Sequence, residues 1–174
     1  TTPDGITWEQ QVQGNPNNPN LRGITFENDI FVAVGDGGTI LTSADGTTWA
    51  EQTSGTTEGL NGVTYANDTF VAVGFAGTIL TSPDGVTWTL QTSGTTKDLF
   101  GVNYGNGLLV TIGATGTILT STDSETWTLQ TSDTTGYLLG VTYGNNTFVV
   151  PVGSGNTAGE SGKILTSING TTWT

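Results

Sequence analysis

The 174-residue chain contains no cysteine and no histidine. Without Cys there is no disulfide and no thiolate chemistry, and nothing in cysteine usage marks a redox compartment. Without His the usual general base at neutral pH and the usual transition-metal ligand are both missing, which argues against zinc, copper and haem. Basic residues are scarce as well: Arg22, Lys97 and Lys163 stand against fifteen Asp and Glu, for a net charge of −12. Such a surface repels phosphate backbones and anionic headgroups, so neither nucleic acid nor a membrane surface is an expected partner. No apolar run approaches bilayer length, and the opening Thr1-Thr2-Pro3-Asp4 carries neither a charged nor an apolar leader stretch. With no initiator Met, the sequence reads as a processed or excised piece.

What is abundant is Gly, 27 residues of it, with Thr, Ser and Asn. That composition suits short strands joined by tight turns and predicts almost no helix. The length fits one domain, residues 1–174. One phrase recurs throughout, most fully from Gly62 to Phe100. Trp49, Trp88 and Trp127 are spaced 39 apart, whereas Trp8 lies 41 before the first and Trp173 lies 46 after the last. Within the fullest copy, four runs rich in β-branched and alternating residues read as strands: 62–65, 69–74, 77–82 and 86–92. Asn67-Asp68 and Pro83-Asp84-Gly85 separate them as turns. Each repeat is therefore an up-and-down four-stranded sheet with a doubly buried second strand. Such sheets bury their faces by stacking around an axis, which predicts an all-β propeller with blades near 23–61, 62–100, 101–139 and 140–174.

The third turn, Ser82-Pro83-Asp84-Gly85-Val86-Thr87-Trp88, resembles the Asp-box of sialidases and many other propellers, one residue shorter between Asp and Gly. Related copies hold Asp45 with Trp49, Asp123 with Trp127, Asn169 with Trp173, and partially Asp4 with Trp8. Ser124 replaces the Gly in one copy and Asn169 the Asp in another. The FVAVG, GTILTS and DGxTW phrases are similar to those of bacterial propellers and, in repeat style, of photosystem assembly factors. The resemblance implies that each Asp caps its own turn and each Trp packs between strands, away from any ligand.

Four first, second and third strands are matched by five Trp-bearing fourth strands. Either the segment from Ile6 to Gln13, within residues 1–22, closes a four-bladed ring as the outer strand of the last blade, or a second chain completes a larger ring. The count of strands leans toward the multi-chain assembly.

Sialidase chemistry needs several Arg side chains on the substrate carboxylate, and this chain offers Arg22 alone. Another glycosidase would need a carboxylate pair, for which Glu58, Asp98 and Asp133 in the inter-blade loops are the candidates; as solvated loop acids they need no such role. Calcium is the one metal suited to so many oxygen ligands, yet no dense acidic loop appears, so no cofactor is expected. Departures from the repeat are the better clue to function. Blade four inserts residues 153–162, including Asn156 and Glu160, and the first inter-blade loop carries Asn15–Asn20. Both fall on the rim that also holds Asp36, Leu60, Phe75, Phe100 and Tyr137. Leu60 and Phe100 read as plugs of the blade junctions. Phe75 and Tyr137 beside Asp36, Asn156 and Glu160 read as a ligand surface for a glycan or a protein. The leading expectation is thus a non-catalytic binding module, extracellular or on the cell surface, with a purely structural or engineered assembly as the alternative and a hydrolase as the second alternative. Asn67, Asn145 and Asn169 match the N-glycosylation pattern but fall where turns are expected.

Overall fold

The computed structural model describes residues 19–154 and 162–174; the segment from Ile6 to Gln13, proposed above as a closing strand, and the residues Asn156 and Glu160 lie outside these. Four antiparallel four-stranded sheets follow one another along the chain. The first comprises β1 (Leu21–Glu27), β2 (Ile30–Gly35), β3 (Ile40–Ser43) and β4 (Ala50–Gln52). The second comprises β5 (Leu60–Ala66), β6 (Thr69–Gly74), β7 (Ile79–Ser82) and β8 (Thr89–Gln91), and the third β9 (Leu99–Gly105), β10 (Leu108–Gly113), β11 (Ile118–Ser121) and β12 (Thr128–Gln130). The fourth holds β13 (Tyr137–Leu138), β14 (Thr142–Gly144), β15 (Thr147–Gly153) and β16 (Lys163–Ser167). This is a β-propeller built from four blades.

Local sequence sets each connection. First and second strands join through two-residue turns whose central residues both have positive φ, Asn67 and Asp68 at 50° and 57° for example. That is the mirror-image turn whose twist suits a hairpin, and Asn and Asp tolerate it better than other side-chain-bearing residues. Second and third strands join through a single 3-10 turn (Asp36–Gly38, Phe75–Gly77, Ala114–Gly116), so the third strand starts at Ile40, Ile79 or Ile118, two residues later than the sequence suggests. The fourth strand likewise starts after the Trp, at Ala50, Thr89 and Thr128, because the Trp belongs to the turn.

That turn is built the same way four times. The Ser82 hydroxyl donates to Asp84 Oδ1 at 3.0 Å and accepts from the Gly85 N–H at 2.8 Å. Asp84 Oδ1 accepts from the N–H groups of Val86 and Thr87 at 2.9 and 2.7 Å. Trp88 Nε1 closes the turn on the Gly85 carbonyl at 2.9 Å. The same bonds surround Asp45 with Trp49, Asp123 with Trp127, and Asn169 with Trp173. Trp173 is buried and the other three are half-buried. At Ser124 the pattern carries a penalty: φ is 69°, and the buried hydroxyl has no hydrogen-bond partner. Ser124→Gly relieves both, less the extra entropy of a Gly in the unfolded chain, for an expected gain of about 1–2 kcal/mol. Urea unfolding of the variant checks it.

The core lies between blades. Val32, Val34 and Ile40 on the forward face of blade one pack with Leu60, Phe70, Ala72 and Leu80 on the back face of blade two. Val71, Val73 and Ile79 meet Leu99, Val102, Leu109 and Leu119 in the same way, and Val110, Ile112 and Ile118 meet Leu138, Phe148, Val150 and Leu165. Around the axis the innermost strands touch through glycines. A Cβ on Gly23 would lie 3.1 Å from the Gly62 Cα, and one on Gly62 3.3 Å from the Gly101 Cα.

Blade four departs from the repeat. Pro151 pairs with Ile164 on β16, but its carbonyl faces the inner strand, accepting from the Leu139 N–H at 3.4 Å. The N–H that proline lacks would point the same way. The inner strand accordingly breaks there into β13 and β14. At the outer edge, Thr174 pairs with Thr166 through two backbone hydrogen bonds, of 2.8 and 3.1 Å, at the position where Thr89 pairs with Thr81.

Candidate functional site

The 3-10 turns and the inter-blade loops share one rim, opposite the Trp-bearing turns. Each turn is tied to the end of the loop before its blade: Asp36, Phe75 and Ala114 donate their N–H groups to the carbonyls of Asn20, Gly59 and Asp98 at 2.9–3.0 Å. Backbone geometry therefore repeats around this rim while the side chains do not. Three sets of equivalent positions carry unlike residues: Asn20, Gly59, Asp98 and Tyr137; Arg22, Asn61, Phe100 and Leu139; Asp36, Phe75 and Ala114.

These side chains contact one another across the blade junctions. Arg22 Nε donates to Asp36 Oδ1 at 2.6 Å, and Asn20 Nδ2 donates to Asp36 Oδ2 at 2.8 Å. The Arg22 guanidinium, and then the Asn20 amide, hold the Asp36 carboxyl below the usual carboxylate range. The guanidinium carbon also lies 5.3 Å from the centre of the Phe75 ring on the next blade, within cation–π range. The Asp98 carboxylate accepts the Ala76 N–H at 3.0 Å, binding blade three to the turn of blade two. Asn61 Nδ2 donates to the Leu99 carbonyl at 2.7 Å. Phe100 and Tyr137 meet edge to face at 6.0 Å, and Leu139 beside them is 59% exposed.

Of the residues singled out by sequence, Asp36 and Phe75 thus lie in one cluster organised by Arg22, and Tyr137 lies in another with Phe100. Phe75 is half-buried against Gly59, where an added Cβ would approach its ring to 3.0 Å. Leu60 is fully buried at the first junction, and Phe100 packs against the third. Among the candidate acids, Asp98 is engaged with the backbone, while Glu58 and Asp133 lie exposed in separate loops. Among the described residues no three Asp or Glu gather in a group that could hold a metal ion. Among the open recesses outside these clusters, two lie along inter-blade loops. One, of about 820 Å³, runs along Gln52–Glu58; the other, of about 510 Å³, runs along Gln130–Thr135. They occupy corresponding places on blades one and three.

Sequence reasoning passed over Leu139 and treated Arg22 only as too few guanidinium groups for a sialidase. The signal for both was the column Arg22, Asn61, Phe100, Leu139, four chemically unlike residues at one repeat position.

The family model for the DUF6242 beta propeller domain matches residues 2–138. The chain belongs to this family. Its fold is similar to that of YCF48 from Cyanidioschyzon merolae, with a TM-score of 0.70 and 20% identity over 95% of this chain and 58% of that one. It is likewise similar to YCF48 bound to D1 peptide, with a TM-score of 0.69 and 20% identity over 91% and 53% of the two chains. A third similar structure is the computationally designed Ika4 protein, at 0.65 and 14% identity over 86% and 96%. The DUF6242 domain chain therefore spans little more than half the length of the YCF48 chains. No curated protein matches it.

Proposed function

We propose that this DUF6242 propeller is a non-catalytic protein-binding module that engages an extended peptide or loop across the rim of 3-10 turns. The observation that carries this reading is the convergence of the blade-specific side chains on that one rim, while the framework beneath them repeats. Their order supports a peptide rather than a reacting substrate. Arg22, Asp36 and Asn20 offer a charged, hydrogen-bonding end, and Phe100, Tyr137 and Leu139 an apolar end. Aromatic and Arg anchors flanked by polar groups are the usual composition of binding hot spots. YCF48, of similar fold, has been solved with a bound peptide. The Thr-, Gly- and Asn-rich composition with few Lys and Arg supports a place outside the cell or at its surface.

A displayed random-peptide library, panned on the chain and followed by fluorescence anisotropy of the enriched peptides, tests the proposal. Peptides with apolar side chains near a charged residue are expected, and Tyr137→Ala with Leu139→Asp should weaken them at least about tenfold, the loss of roughly 1.4 kcal/mol or more from an anchor pair. Both side chains are exposed, so the melting temperature should barely move. Failure to enrich any peptide, or binding indifferent to the double variant, overturns the reading. A blank peptide screen together with a positive glycan array would transfer the rim to sugar recognition.

A further inference from the structure

The recesses of blades one and three share a backbone and differ in chemistry. Each is walled by the end of a 3-10 turn, an outer strand and the loop after it: 37–39 with 51–58 in blade one, 115–117 with 129–135 in blade three. Hydroxyls fix the two loops in the same way. The Ser54 hydroxyl donates to the Thr56 carbonyl at 3.2 Å, and Thr56 Oγ1 accepts the Glu58 N–H at 3.0 Å, as Ser132 and Thr134 do for Gly136 at 3.3 and 3.1 Å. Two side-chain columns set the recesses apart. Glu51 stands where Leu90 and Leu129 stand, and Glu58 where Lys97 and Gly136 stand. Of these three blades, blade one alone carries carboxylates at both positions, and both line its recess. Its counterpart has Leu129 and Lys97 in the wall and is smaller, at about 510 Å³ against about 820 Å³.

The acidic recess adjoins the charged end of the rim, because Gly37 and Gly38, of the turn that begins at Asp36, form part of its wall. The positive charge at that end is already matched: the Arg22 guanidinium is bonded to the Asp36 carboxylate. None of the chain's three bases, Arg22, Lys97 and Lys163, lines the recess, whose other polar side chains are hydroxyls and the Gln52 amide. Two carboxylates therefore stand in excess here, inside the field of a chain of net charge −12. Such a field raises the local concentration of cations at an acidic concavity and speeds their association.

We infer that the partner of the rim is a basic peptide segment, one cationic group of which seats in the blade-one recess against Glu51 and Glu58. That group is a Lys or Arg side chain or a free N-terminal ammonium. The inference rests on the reading of the rim as a peptide-binding surface and adds the sign of the charge that accompanies the apolar anchor. Charge complementarity carries it. An acidic segment would bring like charge to Glu51 and Glu58, with no unmatched base at that end to offset them. An ammonium or guanidinium brings three to five N–H donors and no acceptor, and carboxylates set among Thr and Ser hydroxyls can accept them together. A bare divalent cation fits less well, since no third Asp or Glu joins the pair.

Peptides enriched by panning the displayed library on the chain are the probe. Their sequences should carry Lys and Arg in excess over Asp and Glu. In fluorescence anisotropy, Glu51→Gln with Glu58→Gln should weaken them about fivefold or more, the combined effect of two partly exposed ion pairs. Glu27→Gln with Glu125→Gln removes the same charge from the opposite face and should weaken them less than about twofold, as a loss of distant attraction only. All four side chains are exposed, so neither double variant should shift the melting temperature appreciably. Norleucine in place of the peptide's base should weaken binding to the unaltered chain by the same factor and leave the recess variant no worse than the unaltered chain. Acetylating the peptide's N-terminus separates the two sources: a matching loss assigns the terminal ammonium, and no loss assigns the side chain. Enriched peptides that need Tyr137 and Leu139 but carry no base, or that lose equally to the two double variants, would overturn this inference and leave the rim reading standing. A library that yields no peptide removes both.

Discussion

Phe70→Ala is expected to lower the unfolding free energy by about 3–5 kcal/mol, the range for truncating a fully buried phenylalanine. Phe70 is 0% exposed and sits in the core shared by blades one and two, with Val32, Val34 and Ile40 on the facing sheet and Leu60 and Leu80 on its own. Its ring lies 4.7 Å from that of Tyr65 and beneath the Gly85 turn, whose added Cβ would come within 3.6 Å of it. Three separate elements therefore line the space it fills. Each is fixed by its own backbone ladder or turn hydrogen bonds, so the cavity left by alanine cannot collapse. Leucine stands at the equivalent position, Leu109, of blade three. Phe70→Leu should accordingly keep more than half of what alanine loses. Urea unfolding monitored by tryptophan fluorescence reads both variants. Equal losses would mean that ring volume at this junction is not what stabilises it.

The repeat in the sequence was enough for the blades, because strand alternation and the Asn, Asp and Gly turns are local and occur in every copy. Boundaries shifted where a turn absorbed residues of strand-like composition. Thr78 and Trp88 look like strand residues, but the 3-10 turn ending at Gly77 and the indole bond to the Gly85 carbonyl keep them out of the ladders. Pro151 is a legible warning, since proline in a central strand costs a ladder bond, yet the surrounding Phe148-Val149-Val150 has the composition of a central strand. The rim was legible as a place and not as a set of contacts. Arg22 reaches Asp36 within its own blade and Phe75 on the next, a pairing that depends on how two blades stack. The exposure of Leu21 and Ile164 was the least visible feature. Leu21 and Ile164 have the same residue type as their buried counterparts at the equivalent repeat positions.

Acid should unfold the chain in part through its turns. Asp45, Asp84 and Asp123 have carboxyls held below the usual value, chiefly by the two backbone N–H groups that each accepts, with the hydroxyl of Ser43, Ser82 or Ser121 adding to the effect. Hydrogen bonds to the charged form lower a pKa in the folded state, while the unfolded chain keeps an aspartate near about 3.9. The sign follows from linkage. A lowered folded-state pKa contributes stability that is fully present above the unfolded value and is lost as pH falls through the folded value. The melting temperature should therefore hold from neutral pH to about 5 and fall steeply below about 4, with these three turns supplying a share of the fall. Blade four provides the control. Asn169 Oδ1 accepts from the N–H groups of Thr171 and Thr172 at 3.0 Å each, against 2.8 and 2.7 Å for Asp45, so a neutral acceptor preserves the turn with slacker bonds. The triple variant Asp45→Asn, Asp84→Asn and Asp123→Asn should fold, melt lower than the unaltered chain at pH 7, and lose less on acidification, so that the gap between the two curves narrows as pH falls below about 4. It also removes three negative charges from a chain of net charge −12, which relieves general repulsion and works against the lower melting temperature at pH 7. Repeating the series in high salt separates the two effects, since salt screens distant charges but leaves the bonds within each turn. Parallel acid limbs in high salt would show that these carboxylates are bonded alike in the folded and unfolded chains, and that the acid sensitivity arises elsewhere.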